Sequence, residues 1–169
     1  GTGVVVIQKK ICLLGAFSVG KTSLINRYVK SMFDDKYLTT VGVKINKKVL
    51  TVNTNELSLI IWDIAGEDDF YSIRSSYLQG MAGYIIVIDG MRLNSYHVAL
   101  SVHERVQALS GKLPMIFALN KNDLRSQWHL ESQHIQYLHQ FGYPVMETSA
   151  KDNAGVEEMF MSLATQLVS

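Results

Sequence analysis

The chain has 169 residues, enough for one domain with a full core, and 47% of them are hydrophobic, which excludes a disordered polypeptide. Lys and Arg total 16 against 15 for Asp and Glu, a formal charge of +1, so no basic stripe argues for a nucleic-acid partner. The one cysteine, Cys12, excludes a disulfide framework and points to a reducing compartment.

Residues 4–14 are apolar and β-branched and predict a strand. Cys12 inside it reads as a small core residue, not a nucleophile. Gly15-Ala16-Phe17-Ser18-Val19-Gly20-Lys21-Thr22 follows, and a helix is expected to about residue 31. This is the phosphate-loop pattern in its proper strand–turn–helix setting. Its glycines let backbone N–H groups turn onto a phosphate, and the helix N-terminus adds a favourable dipole. Lys21 can bridge the outer phosphates, and the Thr22 hydroxyl can hold Mg²⁺. Alone, the loop says only nucleoside triphosphate, since ATPases, kinases and GTPases share it.

Residues 43–52 and 57–62 predict two strands, and the turn Asn53-Thr54-Asn55 joins them as a hairpin. The second runs into Trp62-Asp63-Ile64-Ala65-Gly66. Asp63 can hold the Mg²⁺ shell, usually through water, and the Gly66 N–H is free to approach a terminal phosphate. Asp and Gly are common at strand ends, so this pair is weak by itself.

Residues 84–88 predict a buried strand, far too short to span a membrane, and no stretch reads as a signal peptide. A helix is expected over about 95–109, then a strand over 115–119 that ends in Asn120-Lys121-Asn122-Asp123. The Asp123 carboxylate can accept from N1 and the 2-amino group of guanine, a donor pair adenine lacks. The Lys121 stem can lie along the ring. A plain polar turn remains the other reading of those four residues.

A helix is expected over about 131–140, and Val145-Met146-Glu147 is a short last strand. His129, His134 and His139 are spaced by five, which turns each roughly 140° from the last on a helix, so they read as solvated helix residues with no shared metal. Trp128 and Tyr96 read as packing residues. Thr148-Ser149-Ala150-Lys151 follows the strand. An Ala150 N–H can meet guanine O6, although a helix-entry turn explains the segment better when it is taken alone. In the closing helix, Val156, Met159, Phe160, Leu163 and Leu167 share a face, with Asn153 as its N-terminal signal and Glu157 and Glu158 in its first turn. No repeat or linker divides the chain, so residues 1–169 read as one domain. Strand–helix alternation with one hairpin predicts an α/β fold, mostly parallel, with helices on both faces and ligands at the carboxyl ends of the strands.

Taken together and in order, the motifs resemble those of a small GTPase of the Ras superfamily, and the Rab branch most closely. The set is Gly15 to Thr22, Thr39-Thr40-Val41-Gly42, Trp62 to Gly66, Asn120 to Asp123 and Ser149-Ala150-Lys151. From these residues the resemblance implies a three-layer P-loop GTPase fold with a six-stranded sheet whose second strand is antiparallel. It implies GTP or GDP with Mg²⁺ as cofactors. The nucleotide would meet Phe17, Ser18, Val19, Gly20, Lys21, Thr22 and Ser23, then Phe33, Tyr37, Thr40 and Gly66, then Asn120, Lys121, Asp123, Leu124, Ser149, Ala150 and Lys151. The metal would sit on Thr22, Thr40 and Asp63, and catalysis would fall to Lys21, Thr40, Gly66 and Glu67.

The resemblance further implies switch loops over 33–41 and 64–77 that receive effector proteins, an exchange factor and an activating protein. It implies a monomer, cytoplasmic or peripheral on the cytoplasmic face of a membrane, acting in signalling or membrane trafficking. The sequence ends at Ser169 without a cysteine, so membrane attachment requires a lipidated tail outside this chain.

Two departures touch catalysis. Glu67 stands where the family has Gln; a carboxylate only accepts, and it lies near an anionic γ-phosphate. Phe17 stands where the family has a small residue, and its ring either crowds the γ-phosphate or turns outward. Slow hydrolysis is expected, with a non-hydrolysing GTP-binding scaffold as the alternative. Lys44 and Ile45, where Rab proteins commonly carry an Asp and an aromatic residue, alter the effector face. A P-loop kinase or ATPase is the third reading, and Asp123 argues against it.

Overall fold

The computed structural model describes residues 6–29, 37–38, 43–64 and 75–169, with only the backbone described at 37–38. Within these, β1 (Val6–Gly15) leads into α1 (Lys21–Val29), and β2 (Tyr37–Leu38) precedes the hairpin of β3 (Lys44–Val52) and β4 (Asn55–Asp63). Then come α2 (Ser75–Leu78), β5 (Met81–Asp89), α3 (Leu93–Ser110) and β6 (Met115–Asn120). A 3-10 segment (Asn122–Gln127), α4 (Ser132–His139), β7 (Val145–Glu147) and α5 (Val156–Val168) complete the order.

One sheet runs β2-β3-β4-β1-β5-β6-β7. The expected strands are there, with β3 antiparallel to β4 and the run from β4 to β7 parallel. The two-residue β2 extends the β3 edge, a pairing too short to announce itself in the sequence. The hairpin turn is tighter than expected. Val52 pairs with Asn55, leaving Asn53 and Thr54 alone in the turn at φ 49° and 74°. Positive φ at both positions suits the right-handed twist of the flanking strands.

The central strands are buried on both faces, so they read as continuous apolar runs rather than alternating ones. Residues 11–14 of β1, 84–88 of β5 and the whole of β6 are buried. A Cβ on Gly83 would touch Leu163 and Leu167, which places α5 on that side of β5. Tyr84 points to the other side, where its hydroxyl lies 3.2 Å from His103 Nδ1 of α3. On the α5 side, Tyr28 of α1 stacks on Phe160 at 4.1 Å between ring centroids. Cys12 is fully buried, its Sγ donates to the Tyr77 carbonyl, and burial pushes its thiol up to about 12, as a core role requires.

Three local expectations are corrected. Asn153 does not cap α5. The residue before the first turn is Gly155 at φ 70°, with no side-chain cap, and Asn153 lies in the preceding turn at φ 55°. His129 precedes α4 rather than riding on it, and His134 is more than a solvated side chain. Its Nδ1 accepts from the Glu131 N–H at 2.9 Å, while the Glu131 side chain accepts from the third helical N–H, a reciprocal cap. The helix α2 overlaps the end of the 64–77 stretch expected as a loop. Among the described residues no group of His, Cys, Asp and Glu is placed to hold a metal, and no helix is long and apolar enough to cross a membrane.

Candidate nucleotide-binding site

The loop between β1 and α1 is shaped by backbone that ordinary residues avoid. Ser18 takes φ 61° and Gly20 φ 100°, and Leu24 N–H then bonds the Gly20 carbonyl at 2.9 Å to start the helix. A Cβ on Gly20 would overlap the Asn120 amide nitrogen. That closeness is functional, because Asn120 Nδ2 donates to the Val19 carbonyl at 3.0 Å. The Asn120 Oδ1 accepts from the Thr148 hydroxyl at 3.2 Å. One buried amide therefore joins the phosphate loop, the end of β6 and the loop after β7.

Lys21 is only 6% exposed, and its Nζ reaches the Ala16 carbonyl at a long 3.4 Å. Burial lowers its pKa, and the Asp63 charge opposes that. A buried ammonium with so weak a neutral partner is costly unless an anion joins it. A polyphosphate in the loop supplies that anion, so the residues present fit the group. Thr22 Oγ1 donates to Asp63 Oδ2 at 2.5 Å, joining the first turn of α1 to the end of β4. A hydroxyl and a buried carboxylate are hard oxygen donors, the set Mg²⁺ takes. Ser23 follows on the exposed side of α1. Phe17 turns outward: the residue is 64% exposed, and its carbonyl accepts from Arg92 at 2.5 Å. Phe33, Thr40, Gly66 and Glu67 lie outside the described residues, as do the Tyr37 side chain and most of both expected switch loops.

The second half of the site hangs on β6 and β7. Lys121 adopts a left-handed conformation at φ 72°, and its Nζ meets Asp89 Oδ2 at 2.7 Å. Asp89 is fully buried, so the ammonium is anchored here rather than simply left in water. Trp128 Nε1 donates to the Lys121 carbonyl at 2.9 Å, and its ring lies so close to Gly90 that a Cβ there would collide with it. Asp123 lies in the first turn of the 3-10 segment, and Leu124 bends it at φ −111°. Asp123 Oδ1 accepts from the Ser149 hydroxyl at 2.9 Å. The backbone of Ser149 pairs with Ala154, which closes the loop carrying Ala150 and Lys151. Arg27 of α1 donates to the carbonyls of both Ala150 and Lys151.

The described motif residues thus meet at the carboxyl ends of the parallel strands. Arg27, Asp89 and Arg92 were missed by the motif reading. Asp89 had a faint signal, an acid at the end of an apolar strand, as at Asp63. Arg27 had none, because its partners lie more than a hundred positions away.

A model of the Ras family matches residues 10–169. Human Rab-21 is 33% identical over 94% of this chain and 72% of its own. RabJ of Dictyostelium discoideum is 30% identical over 96% of this chain, which spans 64% of that relative. RABD2b of Arabidopsis thaliana is 32% identical over 94% of the chain.

Proposed function

Because this chain belongs to the Ras family and its relatives are Rab proteins, we propose that it is a guanine-nucleotide switch that binds GTP or GDP with Mg²⁺ and hydrolyses GTP slowly. The observation that carries this is the joining of Thr22 to Asp63 and of Ser149 to Asp123 across a loop that needs an anion. The loop N–H groups and Lys21 hold the phosphates, and Asp123 accepts from the guanine edge. Thr22, Asp63 and Thr40 would hold the Mg²⁺, which would supply positive charge against the phosphates. Thr40 and Gly66 engage the terminal phosphate, which orders the two switch loops into a surface for effectors and releases it on hydrolysis. We further place the protein in membrane trafficking or signalling, as a monomer served by an exchange factor and an activating protein. Its attachment to a cytoplasmic membrane face depends on a lipid tail outside this sequence.

Slow hydrolysis follows from Glu67 and Phe17. Glu67 cannot donate to the γ-phosphate and is repelled by it. Phe17 is exposed, and a benzyl group at this position of the phosphate loop would obstruct an activating arginine. The same two residues favour, as a second reading, a scaffold that binds GTP without cleaving it.

Extraction of nucleotide from purified protein tests the switch. Guanine nucleotide is expected, and it should be lost in Asp123→Asn; recovery of adenine nucleotide would overturn the assignment. Single-turnover hydrolysis tests the rate. The pair Glu67→Gln with Phe17→Ser should raise it about tenfold or more, and an unchanged rate refutes the role given to these residues. No GDP at all over hours from the native chain would favour the scaffold.

A further inference from the structure

Arg27, near the end of α1, forks across two successive carbonyls. Its Nε donates to Ala150 O at 2.5 Å and its Nη2 to Lys151 O at 2.6 Å. A guanidinium spans two such acceptors in fixed geometry, whereas an ammonium is a single point. No peptide bond is cis among the described residues, so the N–H of Asp152 points away from the Lys151 carbonyl that Arg27 holds. That N–H donates to Ser149 Oγ at 3.0 Å. Ser149 is fully buried, and its hydroxyl proton goes on to Asp123 Oδ1 at 2.9 Å.

We propose that Arg27 is a positioning residue for base selection, acting on Asp123 through the 151–152 peptide and the Ser149 hydroxyl. The inference rests on the reading of Asp123 as the guanine acceptor. A carboxylate that must meet two donors of one purine edge needs a fixed plane. The Ser149 hydroxyl has one proton, and the Asp152 N–H on its oxygen leaves that proton for Asp123. The peptide bearing that N–H is itself held by the guanidinium, and donation to its carbonyl strengthens its N–H as a donor. Because α1 begins at the phosphate loop, the relay also links the phosphate end of the site to the base end, beside the direct Asn120 bridge.

The test compares GDP with inosine diphosphate, which keeps N1–H and O6 but lacks the 2-amino group. Affinities are measured by calorimetry on the whole chain. Native protein must prefer GDP; equal binding would remove the guanine reading itself and is distinct from a failure of Arg27. In Arg27→Gln the preference should fall about fivefold, the order of one net hydrogen bond. A guanidinium that merely staples α1 to the loop would weaken both ligands alike, and an unchanged preference overturns the proposal. Arg27→Lys, which keeps one of the two bonds, should fall between, and it decides the question in the same way if the Gln variant does not fold. In a Ser149→Ala background, adding Arg27→Gln should alter the preference no further, whereas an additional fall would show that Arg27 acts by another route.

Discussion

The Thr22 hydroxyl and the Asp63 carboxylate sit 2.5 Å apart, although 41 positions separate them in the chain. The contact brings the first turn of α1 onto the last residue of β4, so the two oxygens that would hold Mg²⁺ are preassembled. Thr22→Val keeps the shape and removes the hydroxyl. Losing a bond to a charged group should weaken Mg²⁺-dependent GDP binding about 10- to 100-fold. Chelation should speed GDP release from the native chain and do little to the variant. Equal acceleration in both would remove Thr22 from the metal site.

Gly20 and Asn120 occupy one space. Gly20→Ala drives a methyl into the Asn120 amide and forces alanine into φ 100°. The bond to Val19 O then breaks, and the phosphate loop loses its tie to β6. Asn120→Ala breaks the same tie without strain and leaves the Val19 carbonyl and the Thr148 hydroxyl unpaired. It should cost about 1–3 kcal/mol, read as a lower Tm, and Gly20→Ala should be the worse of the two. The reverse order in thermal melts would contradict this packing.

Trp128 serves Lys121 through its ring N–H. Trp128→Phe keeps a ring over Gly90 and deletes the donor. The Lys121 carbonyl then keeps only the Leu124 N–H as its donor, a loss of about 1 kcal/mol. GDP release should quicken while affinity for inorganic triphosphate stays the same, since the defect lies at the base end. A matching loss for both ligands would place the effect elsewhere.

His103 gives the fold an acid sensitivity. It is buried among Tyr84, Phe117, Phe141 and Tyr143, and its Nε2 has no partner among the described residues. Burial lowers its pKa below the ordinary 6.5, so the unfolded chain takes up a proton first as pH falls. Its contribution is complete above the unfolded value and is lost as pH drops through 6.5 toward the folded one. Tm should therefore decline from pH 7 to pH 5. His103→Phe should melt lower at pH 7, because Tyr84 loses its partner, yet vary less with pH. Parallel pH profiles would show that another group is responsible.

What the sequence revealed depended on range. Gly15 to Thr22 was legible because strand, turn and helix start are contiguous and each residue type has a backbone or phosphate reason to be there. Asn120 and Asp123 were legible by type but not by partner, since Val19 and Ser149 lie elsewhere in the chain. The α5 start was misread at Asn153 because a capping side chain and a left-handed glycine are competing ways to begin a helix, and here Gly155 prevailed. His134 was misread because spacing alone hides a bond to the backbone three residues back. Arg27 was invisible, as a guanidinium on an ordinary helix surface carries no local mark of a distant carbonyl.

Cys12 has a practical consequence. Its sulfur is the only one of its kind in the chain, is sealed in β1 and is held protonated by burial. Maleimides and similar reagents attack thiolate at an accessible surface, so these 169 residues form a blank for such labelling. A cysteine introduced at an exposed site such as Ser23 or Tyr137 would then carry a dye alone, and fluorescence could follow nucleotide exchange without first engineering any residue away.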